Sequence, residues 1–251
     1  MLILVSPTKT MRTDGRRKPT NKPSLCIYSE KILEELKKLN EQDIQHIMKV
    51  NEKIAKENKE RYQNIRFDQK GTCALETYDG LQFKSIQLDR LDEKAWDYLQ
   101  QHMCILSGLY GALKPFDAIY PYRLEMQTKL EVEGSKNLYT YWKDTIANHC
   151  LDICKDDITP ILLSIASKEY EKAIQPYVPK EKFIQLVFKI EKQGKLKVES
   201  TQAKMARGAM IAFLAKTKAQ TLDDVKKFDM DGYAFEETLS NETSLVFVKK
   251  G

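Results

Sequence analysis

Apolar residues fall into two rhythms along this chain. Met1-Leu2-Ile3-Leu4-Val5 is an unbroken apolar run at the start and predicts a buried strand. Ile158–Ala166 is nearly continuous in the same sense and predicts a strand covered on both faces. Helical spacing takes over elsewhere. Ile32, Leu33, Leu36 and Leu39 predict a helix over Ser29–Leu39, with Ser29 as its N-cap. Ile44, Ile47, Met48 and Ile54 predict one helix from Asn40 to about Tyr62. Leu91, Ala95, Tyr98 and Leu99 predict a helix over Asp89 to about His102, and Cys104-Ile105-Leu106 reads as a strand end or as the last turn of that helix. Leu138, Tyr141, Trp142, Ile146 and Cys150 mark an amphipathic stretch from Asn137 to Cys154, and a further helix spans Thr201 to about Lys218. Phe183–Glu191 and Lys195–Ser200 read as a hairpin across Gln193-Gly194, and Tyr233–Phe235 with Ser244–Lys249 as another. Strands and helices intermix without a repeat or a linker. The expectation is one α/β (mixed α+β) domain over residues 1–251, a mixed sheet flanked by helices with C-terminal hairpins.

Composition narrows the class. The chain has 251 residues, of which 42% are hydrophobic and 31% charged, as in a globular protein with a sizeable core. No apolar stretch reaches membrane-spanning length. The opening apolar run is too short for a signal peptide and lacks a basic flank, which points to a cytoplasmic protein. Five scattered cysteines make no disulfide framework. Cys150 and Cys154 lie one helical turn apart beside His149, a poor match to zinc spacings, and two thiols packed on a helix face is the simpler reading. No metal and no cofactor is implied. The net charge of +5 permits an anionic partner without requiring one.

Chemistry concentrates at three places. In Leu106-Ser107-Gly108-Leu109-Tyr110-Gly111, two glycines bracket an apolar pair, with Lys114-Pro115-Phe116-Asp117 behind. Such a turn, followed by a lysine, offers backbone N–H groups to a phosphate, as helix-hairpin-helix modules do; the plainer reading is a strand-to-loop turn. Secondly, both long apolar runs end alike, in Ser6-Pro7-Thr8-Lys9 and in Ser167-Lys168-Glu169-Tyr170. A hydroxyl and an ammonium at the end of each strand suit an anion at the carboxyl edge of a sheet. Thirdly, Lys204 and Arg207 share a helix face with no acidic residue between Thr201 and Gln220, and Gly208 leaves a gap beside them. The segment Ser6–Pro23 is polar and basic and reads as a loop with freedom to move. Phe116 and Trp142 read as core, whereas Tyr110 and Tyr122 are open to a stacking role. No hydrolase triad, nucleotide fingerprint or metal-binding histidine pair is present. Were the chain an enzyme, Asp117 and Glu125 are the acid/base candidates and Lys114 the amine nucleophile, although Asp117 equally suits a turn cap.

These ordered motifs resemble one family along essentially the whole chain. The match rests on Met1–Thr10, on Leu106–Gly111 with Pro115 and Asp117, and on Pro121-Tyr122-Arg123-Leu124-Glu125-Met126. Leu138-Tyr139 with Trp142, Ala166–Tyr170, Lys204 with Ala206-Arg207-Gly208, and Gly232-Tyr233 with Phe235 extend it. The chain is similar to the YaaA family of bacterial peroxide-stress proteins. Thr8 replaces that family's usual alanine, and Tyr78-Asp79-Gly80-Leu81 departs from its common Val-Tyr-x-Gly-Leu pattern. The resemblance implies an unusual mixed α/β fold and a cytoplasmic role against hydrogen peroxide, linked to lowering free intracellular iron. It also implies binding of double-stranded DNA or another nucleic acid in a basic cleft with a helix-hairpin-helix-like element. It supplies no reaction. Carried over by position, the binding candidates are Lys9, Gly108, Gly111, Lys114, Arg123, Lys168, Lys204 and Arg207. An enzyme acting on a nucleotide, nucleobase or phosphorylated small molecule in the same cleft is the alternative.

Overall fold

A computed structural model describes residues 1–250. In chain order the strands are β1 (Leu2–Val5), β2 (Thr72–Cys73), β3 (Met103–Ser107), β4 (Gly111–Leu113), β5 (Ala118–Ile119), β6 (Leu162–Ser164), β7 (Phe183–Lys192), β8 (Lys195–Lys197), β9 (Tyr233–Phe235) and β10 (Ser244–Lys249). β2 and β5 pair with each other. The other eight form one mixed sheet in the order β4-β3-β1-β6-β7-β10-β9, with β8 pairing β7. β3, β1, β6, β7 and β10 are mutually parallel, and β4, β8 and β9 add antiparallel partners. The helices are α1 (Cys26–Lys38), α2 (Glu41–Met48), α3 (Glu52–Asn64), α4 (Ala74–Thr77), α5 (Leu81–Lys84), α6 (Glu93–His102), α7 (Leu138–Trp142), α8 (Thr145–Ile153), α9 (Lys168–Glu171), α10 (Ser200–Thr217) and α11 (Leu222–Lys226). The mixed sheet with flanking helices is the fold class the apolar rhythms predict. Both C-terminal strand pairings form at their expected places.

The parallel centre explains the two continuous apolar runs. β1 lies between β3 and β6 and is buried along its whole length, so neither face can carry a polar residue. The second run contributes only Leu162–Ser164 as strand, and Ile158 is exposed. Helix boundaries differ more. Ser29 does not cap α1; it lies inside the helix and donates its hydroxyl to the Leu25 carbonyl at 3.1 Å. The helix expected over Asn40–Tyr62 is two, because Lys49 takes a left-handed conformation (φ 51°) and Asn51 caps a fresh start. Lys143 (φ 44°) divides the Asn137–Cys154 stretch in the same way. No glycine or proline marks either break, so neither shows in the apolar pattern.

The loop expected to move is strapped down. Arg12 N–H donates to the Thr77 carbonyl at 2.8 Å, Asp79 N–H to Thr10 at 2.9 Å, and Ala118 N–H to Asn21 at 2.9 Å. Two of its three arginines find carboxylates, Arg17 with Glu93 and Arg12 with Asp14, and Arg17 also stacks over Trp96. No helix among the described residues is long and apolar enough to cross a membrane.

The glycine turn is a β-hairpin, not a helical one, since Gly108–Tyr110 join the strands β3 and β4. Its N–H groups are used internally: Leu109 and Tyr110 donate to Ser107 Oγ at 3.2 and 2.8 Å. Gly111 has φ +74° and lies against Trp142, where a Cβ would come within 2.9 Å of the indole. Gly108 and Gly111 are buried, so neither offers its backbone to a ligand. Tyr110 is core as well, joining Phe116 and Trp142.

Candidate functional site

Strand order fixes where a site can form. The chain leaves β1 for β3 on one side and later returns to β6 on the other, so strand order reverses at β1. Crevices of open parallel sheets lie beyond the carboxyl ends of the strands at such a reversal. Here the two serine-lysine loops meet. Ser167 N–H donates to Ser6 Oγ at 2.7 Å, and the two hydroxyls lie 3.2 Å apart. A cavity of about 360 Å³ opens beside them, walled by Ser6–Lys9, Gly80–Phe83, Tyr122–Glu125, Ser167, Glu169, Tyr170 and the start of α10.

The hairpin shapes this cavity from beneath. Tyr122 lines it, and its hydroxyl lies 2.6 Å from Ser107 Oγ and 2.8 Å from the Tyr78 hydroxyl. Ser107 Oγ already accepts two N–H groups, so its own proton goes to Tyr122. Burial pushes the Tyr122 phenol up to about 12, and its bonds to Ser107 and Tyr78 oppose that rise. Tyr122 therefore stays neutral near pH 7. A Cβ on Gly108 would come within 2.7 Å of the Leu124 carbonyl, so the hairpin presses directly on the segment bearing Arg123 and Glu125. Tyr62 donates to the Arg123 carbonyl at 2.5 Å from the other side.

Lys9, Arg123, Lys204 and Arg207 all line the cavity, from stretches nearly 200 positions apart in the sequence. They are not equivalent. Lys9 and Arg123 share Glu125, at 2.8 and 3.1 Å. Burial raises the Glu125 carboxyl, and the Lys9 hydrogen bond and charge outweigh that, leaving it below the usual range. Among the described residues, Lys204 and Arg207 have no carboxylate within 4.0 Å. Arg207 is mostly buried, which lowers its pKa, and only the charge of Glu171 opposes this. Glu171 does not close on it, because its oxygens accept from Ser164 at 2.7 Å and Gln185 at 2.8 Å. The guanidinium keeps a counter-charge behind it and a free fork in front.

Gly208 brings α5 against α10. A Cβ there would lie 2.2 Å from the Gln82 carbonyl. The gap beside Arg207 is thus filled by backbone, which sets Gln82 next to the arginine. The nitrogens Gln82 Nε2, Arg123 Nε and Arg207 Nε are all buried without a protein acceptor. An unsatisfied buried donor costs about 1–3 kcal/mol. All three belong to residues that wall the one cavity, so its wall holds donors that the protein itself does not satisfy. Glu169 adds a carboxylate that burial, with Glu125 nearby, holds above the usual range, and it accepts from Gln127 N–H at 3.2 Å. The departure at Thr8 belongs to the same wall, since its hydroxyl lies where a Cβ on Gly80 would project.

A profile of the family described as "Peroxide stress protein YaaA" matches residues 1–239. The chain belongs to that family. It is 39% identical over 252 residues to a UPF0246 protein of Clostridioides difficile (strain 630), covering all of both chains. A UPF0246 protein of Agathobacter rectalis is 37% identical over 100% of this chain and 99% of its own, and one of Lactobacillus delbrueckii subsp. bulgaricus is 37% identical over the whole of both. These relatives align with the chain from end to end or nearly so.

The remaining sequence candidates lie elsewhere. Lys168 does not wall the cavity; it stands exposed beside it, between Ser167 and Glu169. Lys114 and Asp117 face a separate, more open hollow with Asn21 and Lys22. Asp117 is almost fully buried and accepts from Lys114 N–H at 2.8 Å, so it caps its own turn. Of the acid/base candidates only Glu125 reaches the cavity. Cys150 packs in the core beside Cys104. Sequence reasoning missed Gln82, Glu169 and the Tyr78–Tyr122–Ser107 chain. Nothing in the local pattern distinguishes them from surface or core residues, and only the folded backbone gathers them.

Proposed function

We propose that this peroxide-stress protein works by binding nucleic acid, duplex DNA in the first place, through phosphate contacts at the carboxyl edge of β1 and β6. The observation that carries this is the unequal pairing of the cleft cations. Lys204 and Arg207 face the cavity with no carboxylate partner, and Lys168 stands unpaired beside it. Phosphate is the ligand such a set attracts, by ammonium and by a free guanidinium fork. The burial of the glycine hairpin moves the phosphate contacts from that turn to the side chains of α9 and α10. Among the described residues no three His, Cys, Asp or Glu are grouped to hold a metal. The lowering of free iron that the family resemblance implies is therefore read as an indirect consequence of nucleic-acid binding.

The test is fluorescence anisotropy of a labelled duplex across a salt series. Contacts from these three cations give a log–log slope of roughly −3. Lys168→Glu combined with Lys204→Glu, both exposed, is expected to weaken binding at least 100-fold without moving the thermal melt. An affinity indifferent to salt or to this double reversal overturns the reading.

The alternative, an enzyme acting on a nucleotide or phosphorylated small molecule, is favoured by two observations. A cavity of about 360 Å³ is of small-molecule size. Its two carboxylates are shifted in opposite directions, Glu125 down and Glu169 up, as base and acid require.

A further inference from the structure

We propose that the cavity accepts a single nucleotide unit, with its phosphate at Lys204 and Arg207 and a base bearing an exocyclic amino group turned inward toward Gln82 and Glu169. This rests on the nucleic-acid reading and says which part of the ligand enters.

Size comes first. About 360 Å³ holds one nucleotide and is far too small for a duplex, which must stay outside. The lining is also wrong for phosphate alone. A bare phosphate site needs donors only, and two carboxylates would repel it. Here Glu125 and Glu169 line the same cavity as the unpaired cations. Glu125 is already taken by Lys9, Arg123 and the Gln127 amide, whereas Glu169 accepts only from backbone N–H groups of Met126 and Gln127 and has no side-chain partner, which leaves lone pairs to accept from an amino group. Gln82 is nine-tenths buried, and its amide nitrogen has no acceptor, so it is a donor waiting for a ring nitrogen or carbonyl. A donor and an acceptor in one cavity wall are the two groups that the edge of adenine, guanine or cytosine requires. Leu81, Phe83, Leu124 and Tyr170 supply the apolar wall that a base needs and a phosphate does not.

The same chemistry is offered by a free mononucleotide and by an unpaired nucleotide of a bound strand, and two arms separate them. The first is calorimetric titration with dAMP, dGMP, dCMP, dTMP and inorganic phosphate. The amino-bearing nucleotides are expected to bind at least tenfold tighter than dTMP or phosphate. Gln82→Leu and Glu169→Gln should each lose about tenfold for the amino-bearing nucleotides and leave the weaker binding of dTMP and phosphate unchanged. The melt of each variant reports folding, and Glu169→Gln leaves the core untouched. The second arm asks whether the best mononucleotide displaces a labelled single strand with an unpaired end. Displacement assigns the unit to the strand, and binding without displacement assigns it to a free nucleotide. Equal binding of phosphate and all four nucleotides, or indifference to both substitutions, overturns the proposal. Duplex binding without any mononucleotide binding sinks this inference and leaves the proposed function standing. Loss of both sinks both.

Discussion

The β3–β4 hairpin and the carboxyl edge of β1 and β6 are both rich in sequence signals, yet they use them in opposite ways. The hairpin turns every unusual group inward. Its N–H groups go to Ser107, Gly111 accommodates Trp142, and Trp142 Nε1 donates to the Gly108 carbonyl at 3.0 Å. The cleft leaves groups unsatisfied, with unpaired Lys204 and Arg207 and buried donors lacking acceptors. A fold stabilises itself by satisfying polar groups, so a satisfied motif reads as architecture and an unsatisfied one as a place for a ligand. Glycine conspicuousness marks the first, and charge without a partner marks the second.

Trp142→Ala separates the two regions most sharply. The indole is fully buried in the angle that Gly111 leaves open. Its loss is expected to destabilise the fold by about 3–5 kcal/mol in chemical denaturation. Nucleic-acid affinity of the protein still folded at low temperature should change little. A variant as stable as wild type contradicts the architectural role of the hairpin.

Asp117→Asn reports the same region through pH. Burial pushes the Asp117 carboxyl up to about 7, opposed by Lys114. Between about pH 4 and 7 the unfolded chain releases a proton that the folded chain keeps, so wild-type stability falls as pH rises through that window. Asparagine keeps an oxygen for Lys114 N–H and has no proton to lose. The variant should gain on wild type by something on the order of 3 kcal/mol between pH 4 and 8. Parallel stability curves across that range would count against a buried, protonated Asp117.

Lys9→Ala probes the cleft and should have the smallest effect. Lys9 is 59% exposed and already committed to Glu125. Its removal is expected to weaken duplex binding only about twofold to threefold, the scale of an exposed ion pair. It should also let the Glu125 carboxyl titrate at higher pH, visible by NMR. A loss as large as that of the Lys168/Lys204 pair would mean that the Glu125 pairing breaks on binding.

Some of this was legible beforehand and some was not. The first strand, the two C-terminal strand pairings and α10 follow from apolar runs and spacing, because burial on a sheet or helix face constrains every second or third residue. The helix breaks at Lys49 and Lys143 left no trace, since a positive-φ residue that is neither glycine nor asparagine gives no compositional sign. Lys9, Arg123, Lys204 and Arg207 were picked out as cations in conspicuous company, and the fold brings all four to one cavity. Lys114 had equally conspicuous company and faces another way.

What the amino-acid order determined by itself is therefore the inventory: which segments must be buried, which residue types end the buried strands, and which family the motifs spell. What only the tertiary structure decided is which charges remain without partners. Pairing depends on distances between residues far apart in the chain, such as Lys9 with Glu125, or Glu171 held by Gln185 near Arg207. Those distances are set by sheet order, and strand order reversing at β1 is a property of the whole fold that no local stretch encodes.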